Sequence, residues 1–191
     1  METIDAIKMR RSIRKYKRKD IEKDKIEKLL EIATRAPSGK NSQPWKFLVL
    51  KGNKKNQIAN LMIKNASKLK EEGFKIGSTK SSANIIKEAP VLIMVYNENK
   101  KHYVDVSEDA KARWRSVDIQ SIGAAIQNLL LGAVDMGLGT LWICDVFIAI
   151  KDINNYLNMD SELVAGVAVG YQDENPESRQ RKELSEVVEF R

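Results

Sequence analysis

A chain of 191 residues is long enough for one compact domain and short for two, so a single domain over residues 1–191 is expected. Its 42% hydrophobic and 31% charged residues are those of a globular protein, and no uninterrupted apolar run reaches the roughly 18 to 20 residues of a bilayer span, so no membrane partner is expected. The net charge of +7 favours anionic partners without choosing among them, one cysteine (Cys144) excludes an internal disulfide, and one histidine (His102) leaves no ordinary His/Cys metal site.

The first apolar cluster is too short for the core of a signal peptide, which makes the cytoplasm the expected compartment. From Lys8 to Lys19, eight of twelve residues are Lys or Arg and none is acidic. Within that block Arg10, Arg11, Ser12 and Arg14 could hold a phosphate, because guanidinium groups offer planar paired donors and a serine adds a short hydrogen bond. A solvated basic arm and a nucleic-acid contact are the competing readings. Against nucleic acid, Tyr16 is the only aromatic in the block.

Residues 21–36 place Ile26, Leu29, Leu30 and Ala33 at helical spacing, and Pro37 stops the pattern. The next ten residues, "APSGKNSQPW", carry short side chains rich in donors and acceptors, suited either to the edge of a flat heteroaromatic ring or to a plain connection. A buried strand is expected at 44–51, a helix at 56–72 closed by Gly73, and a second strand at 89–96, with helices on both faces of the sheet. Residues 97–117, charged and weakly periodic, read as a loop or short-helix insertion, a flap over a site.

"DIQSIGAAIQNLLLGAVDMG" then predicts a helix over 118–137, with Asp118 as N-cap and a Gly stop. Between Ile122 and Val134 only Gln127 and Asn128 are strongly polar, so this helix must be buried nearly all round, in one core or between two subunits. Gly123, Ala124, Ala125 and Gly132 would let another backbone approach. Strands at 138–147 and 162–171, with a helix around 148–157, complete the reading.

Catalytic side chains are scarce. There is no P-loop, and the Gly137-Leu138-Gly139 start of a GxGxxG ends at Trp142. A Cys144–His102 pair has no visible orienting partner, and Cys144 reads as a small apolar residue. Glu71 with Glu72, and Asp105 with Glu108 and Asp109, fall in charged surface segments. Either the protein only binds, or a cofactor brings the reactivity.

"RRSIRKY", "APSGKNSQPW", "DIQSIGAAIQNLLLGAVDMGLGTLWICDV" and "VAVGYQDENPESRQRKELSEVV", in that order, closely resemble the FMN-dependent nitroreductase family over almost the whole chain. The resemblance implies an α+β fold, a mixed β-sheet flanked by helices, in an intertwined homodimer with FMN at the subunit interface and a C-terminal extension added to the partner's sheet. It implies that Arg10, Arg11, Ser12 and Arg14 grip the FMN phosphate, with Arg181 returning to it and Arg179 assisting. Pro37, Ser38 and Gly39 would run along the isoalloxazine from the partner subunit, with Asn41 and Gln43 as weaker candidates, and Trp142, Ile143 and Cys144 would lie by the ring. No catalytic side chain and no metal is implied. "GLGTLWICDV" replaces the Pro-Ile-Glu-Gly type of segment of larger members, which points to a short-chain branch. The implied activity is ping-pong transfer from NAD(P)H through FMN to a small-molecule electron acceptor such as a nitroaromatic or quinone. Reductive dehalogenases of the iodotyrosine deiodinase kind and a flavin-fragmenting enzyme resemble the same scaffold.

Overall fold

The computed structural model describes residues 1–103 and 106–191, with residues 100–102 described by their backbone alone. Asp105 and the His102 side chain, and with it the pairing of His102 with Cys144, lie outside the described residues.

The fold is organised around its most apolar strand. β2 (Val91–Asn97) is buried at all seven positions, and a strand turns alternate side chains to opposite faces. Leu92, Met94 and Tyr96 enter one core with α3 (Gly52–Glu71), α4 (Thr79–Glu88) and α6 (Ile150–Leu157). Val91, Ile93 and Val95 enter a second core with α2 (Lys23–Thr34) and α5 (Glu108–Asp135). Two buried faces require helices on both, as the sequence predicts. β1 (Trp45–Lys51), β3 (Gly139–Ile143) and β4 (Glu162–Gly170) complete a four-stranded sheet of order β1-β2-β4-β3. Each of these pairings is antiparallel; a parallel bridge joins Ser12 to Thr140 at the β3 edge.

Two helices were not legible in the sequence, α1 (Thr3–Met9) and α4. The insertion expected at 97–117 resolves differently: a 3-10 turn spans Glu98–Tyr103, and α5 starts at Glu108, ten residues before the expected start. Ser107 is its N-cap, accepting from the Ala110 amide, and Asp118 is buried in mid-helix. The predicted stop is met. Gly137 takes a φ of 71°, its amide bonds to the Val134 carbonyl, and Leu138 N reaches Ala133 O at 2.8 Å, a Schellman closure.

α5 packs Ile122, Ile126 and Leu129, all fully buried, under the sheet and against α2, where Gly132 lets the Ile32 side chain close in. Fully burying each such side chain contributes roughly 1.5–3 kcal/mol. Among the described helices α5 is the one long and apolar enough to cross a membrane, with a best window of mean hydropathy 1.3, yet half of that window is buried inside the fold. Its other face, from Gln120 through Ala124 and Gln127 to Leu131, is open or half-open.

Candidate functional site

Residues 12–17 are held as an extra ribbon between β3 and the chain leaving β4. Ile13 N donates to Thr140 O at 2.9 Å, Lys17 N to Tyr171 O at 2.8 Å, and Asp173 N to Lys15 O at 3.0 Å. Buried Tyr16 anchors the ribbon, its hydroxyl donating to Ile13 O at 2.8 Å. Two glycines make room for it: a Cβ on Gly139 would stand 2.8 Å from Ile13 Cγ1, and one on Gly170 2.6 Å from Tyr16 Cδ1. The Glu174 carboxylate accepts from the backbone amides of Arg14 and Lys15 and so leads the C-terminal segment back across the ribbon.

The result is a small cavity of about 150 Å³ with Arg10, Arg11, Ser12 and Arg14 on one side and Ser178, Arg179 and Arg181 on the other. Glu177 is its one lining carboxylate, and none of the five guanidiniums has an ion pair among the described residues. Arg11 Nη1 bonds only to backbone, at Lys8 O and Arg10 O, and Arg14 Nη1 to Ser12 O at 3.0 Å. Burial, and then the charges of Arg181 and Arg11, push Arg10 below its ordinary pKa. Five guanidiniums facing one carboxylate around a space of phosphate size fit a dianionic phosphate. The neighbouring Lys15, Lys17, Arg18 and Lys19 do not line this cavity; Lys19 lies over the Tyr171 ring at 4.3 Å.

Ser12 leads directly to the second group. Its bridge partner Thr140 is in β3, and β3 ends at Trp142 and Ile143, with Cys144 following. Ile143 is buried, Trp142 is 38% exposed, and its ring reaches towards Gly123 of α5. Desolvation, then the charge of Asp145, push the Cys144 thiol above its ordinary pKa, away from thiolate character.

Pro37, Ser38 and Gly39 lie elsewhere, on the open face of α5. With Val117, Gln120, Ser121 and Ala124 they line a hollow of about 320 Å³ that shares no wall with the arginine cavity. Gly39 N donates to Ser121 Oγ at 3.3 Å, and a Cβ on Gly39 would come within 2.3 Å of Val117 Cγ1, so only glycine lets the loop sit this close. Lys40, Asn41 and Gln43 all have φ between 46° and 56°, a left-handed run in side-chain-bearing residues. Such strain persists where a site requires it, at about 1–3 kcal/mol per residue. Ser38 braces the turn, its hydroxyl accepting from Gln43 N at 3.0 Å.

Thus the structure joins the five phosphate-binding residues predicted from sequence and connects them through Thr140 to the Trp142 segment. It does not bring Pro37, Ser38 or Gly39 to them within one chain. Sequence reading passed over Trp114, whose ring lies under Lys40 Nζ at 4.7 Å, and the burial of Asp118. Extending the helix back through residues 108–117 would have put both on the side of α5 that meets the 37–43 turn. Glu71, Glu72, Glu108 and Asp109 are exposed, and Glu108 pairs with Lys111.

A two-faced α+β sheet carrying an arginine-walled cavity at one edge has the charge and size that an anionic nucleotide cofactor requires. The family model for the Nitroreductase family matches residues 7–171. The chain belongs to the nitroreductase family. It is 28% identical over 183 residues, covering 94% of this chain and 82% of the other, to a Methanothermobacter thermautotrophicus protein that carries the name NADH dehydrogenase/NAD(P)H nitroreductase. Among solved structures, a BluB-like flavoprotein from Clostridium difficile matches at a TM-score of 0.80 and 28% identity, covering 100% of this chain and 99% of that one. A Desulfovibrio desulfuricans protein described as a nitroreductase and solved in complex with FMN matches at a TM-score of 0.76 and 25% identity, covering 100% and 97%.

Proposed function

We propose that this protein is a homodimeric, FMN-dependent NAD(P)H oxidoreductase that reduces small acceptors such as nitroaromatics or quinones by a ping-pong scheme. Family membership and the relatives' names support the oxidoreductase and its cofactors. The observation that carries the cofactor assignment is the cavity of five unpaired guanidiniums drawn from both ends of the chain.

Arg10, Arg11, Arg14 and Arg181, with Arg179 and the Ser12 hydroxyl, would hold the phosphate. Bound FMN supplies the two-electron chemistry, taking an electron pair from NAD(P)H and returning it to the acceptor. Trp142, Ile143 and Cys144 would border the ring, and the local positive charge would favour an anionic reduced cofactor. Pro37, Ser38 and Gly39 share no cavity with the arginines of their own chain, which supports their serving the partner's cofactor.

The purified protein should be yellow, bleach anaerobically on adding NADH or NADPH, and regain colour with a nitroaromatic or quinone. A colourless protein that refuses added FMN would overturn the reading. Sedimentation equilibrium tests the dimer: a single-chain mass for the FMN-loaded protein removes it.

A further inference from the structure

A second cavity, between the 37–43 turn and the first half of α5, holds a polar group that the fold leaves unused. It encloses about 350 Å³, and its walls include Gly39, Lys40, Tyr103, Val106, Trp114 and Asp118. Asp118 is only 2% exposed. Its Oδ1 accepts from Asn99 Nδ2 at 3.2 Å, whereas its Oδ2 is buried with no hydrogen-bond partner among the described residues. No lysine or arginine is ion-paired with it among the described residues. Burial pushes its carboxyl above the ordinary range, and the nearby Asn99, Asn97 and Ser42 side chains only partly offset this.

A buried acceptor without a donor is costly, and natural folds rarely keep one without a use. Here the rest of the cavity says what would complete it. Trp114 and Tyr103 supply flat ring walls, the Tyr103 hydroxyl being itself buried without a hydrogen-bond partner among the described residues, and Lys40 Nζ lies against the Trp114 ring rather than against the carboxylate. The complement is a flat ring with a hydrogen-bond donor at its edge. Gly39 is common to this cavity and to the hollow lined by Pro37 and Ser38, so a ring seated here would lie beside the loop assigned to the flavin.

We propose that this cavity receives the electron acceptor and that Asp118 Oδ2 selects aromatic acceptors carrying a donor, a phenolic hydroxyl or a primary amide. The assignment of the cavity to the acceptor rests on the flavin reading above; the donor preference rests on Asp118 alone. A group that accepts a donor in a desolvated pocket discriminates strongly against the analogue lacking it, because the mismatch leaves the acceptor unpaired.

The test is equilibrium binding of phenol and anisole to the purified, FMN-loaded protein by ligand-observed NMR, since neither compound is turned over. The expected result is phenol bound about tenfold more tightly than anisole, about 1.4 kcal/mol. In Asp118→Leu the preference disappears, and in Trp114→Leu both ligands weaken together with the ratio kept. Equal binding of the two by the unaltered protein, or no binding of either, overturns the proposal, and neither outcome depends on a variant that folds. A preference that survives in an Asp118→Leu protein retaining its flavin overturns it as well. Flavin content, read separately by absorbance, keeps the two claims apart: a protein that refuses FMN loses the flavin reading before any ligand is added, and a yellow one without preference loses the pocket.

Discussion

Replacing Arg181 by alanine should move the ligand-free and the FMN-loaded protein in opposite directions. In the loaded protein the change removes one of several charge-assisted contacts to a phosphate dianion, a loss of about 1.5–3 kcal/mol, or roughly 10- to 150-fold in Kd. In the ligand-free protein Arg181 is a liability, because its charge helps push Arg10 below its ordinary pKa. Between groups this accessible to solvent, relief of that repulsion is worth only some tenths of a kcal/mol. At FMN one hundred times above the original Kd, the cofactor contributes about 2.7 kcal/mol to stability. A variant weakened about 30-fold retains about 0.9 kcal/mol of that under the same conditions. At about 2–4 °C per kcal/mol for a chain of this size, the loaded protein should melt roughly 4–7 °C lower while the ligand-free protein melts at or slightly above its original temperature. Protein concentration is held constant so that association does not move the midpoint. Fluorimetric Kd measurement and paired melts decide the matter. A Kd changed less than twofold, or an equal loss from Lys17→Ala, would refute the reasoning, since Lys17 lies outside the cavity.

Gly39→Ala drives a methyl into stiff Val117 and should push the turn off α5, lowering FMN retention by about 1–3 kcal/mol; a Gly39→Ala, Val117→Ala double variant should recover most of it in the same titration. Gln43→Gly should raise the ligand-free Tm by a degree or two, because glycine accepts a φ of 46° without steric cost, and an unchanged or lower Tm would show the turn to be unstrained. The buried Tyr96 hydroxyl has no hydrogen-bond partner among the described residues, and burial pushes its pKa up to about 12. Because the unfolded chain loses that proton first, near pH 10, native stability falls between about pH 10 and 12. Tyr96→Phe should therefore unfold at higher pH in an alkaline titration followed by circular dichroism, and coincident curves would remove the effect.

Where local chemistry and the tertiary environment agree, the fold was legible. The β-rich runs at 44–51 and 89–96 became β1 over 45–51 and β2 over 91–97, and Gly137 stopped α5 in the conformation that only glycine adopts freely. The misses have physical causes. α1 has no side-chain N-cap bond and is tied down from outside, by the Met1 ammonium on Asp135 at 2.8 Å. α4 reads "TKSSANIIKE", serine-rich and a weak helix former, and is held by Ala83, Ile85 and Ile86 in the core. Asp118 looked like an N-cap because an apolar run follows it, but the charged residues 108–117 already form the first three turns. The arginine ribbon could be recognised from its motif. Its meeting with Arg181 was carried by the family resemblance and not by residue spacing, because it depends on the tertiary bonds of Thr140, Tyr171 and Glu174.

Three features of the single chain fall under one explanation if the protein works as the proposed homodimer. The 122–134 part of α5 is apolar except for Gln127 and Asn128, yet only half of the helix's most apolar window is buried, and Gly123, Ala124 and Leu131 stay half-exposed on its outer face beside Gln120 and Gln127. The C-terminal segment ends in a 3-10 turn closed by reciprocal bonds between Glu183 and Glu186, and it displays Leu184 at 70%, Val187 at 61% and Phe190 at 93% exposure. The turn and the residues after it thus present three large apolar side chains to water, surface whose burial would be favourable. The Pro37–Ser38–Gly39 loop, which runs into the left-handed residues Lys40, Asn41 and Gln43, is closely packed on that same open face of α5, away from the arginines of its own chain. Pairing through α5 would bury the first surface, give the second an apolar surface to meet, and bring the third to the other subunit's cofactor. One association thus supplies both the hydrophobic gain and the missing wall of the active site, so in this reading loss of the dimer and loss of FMN are a single event.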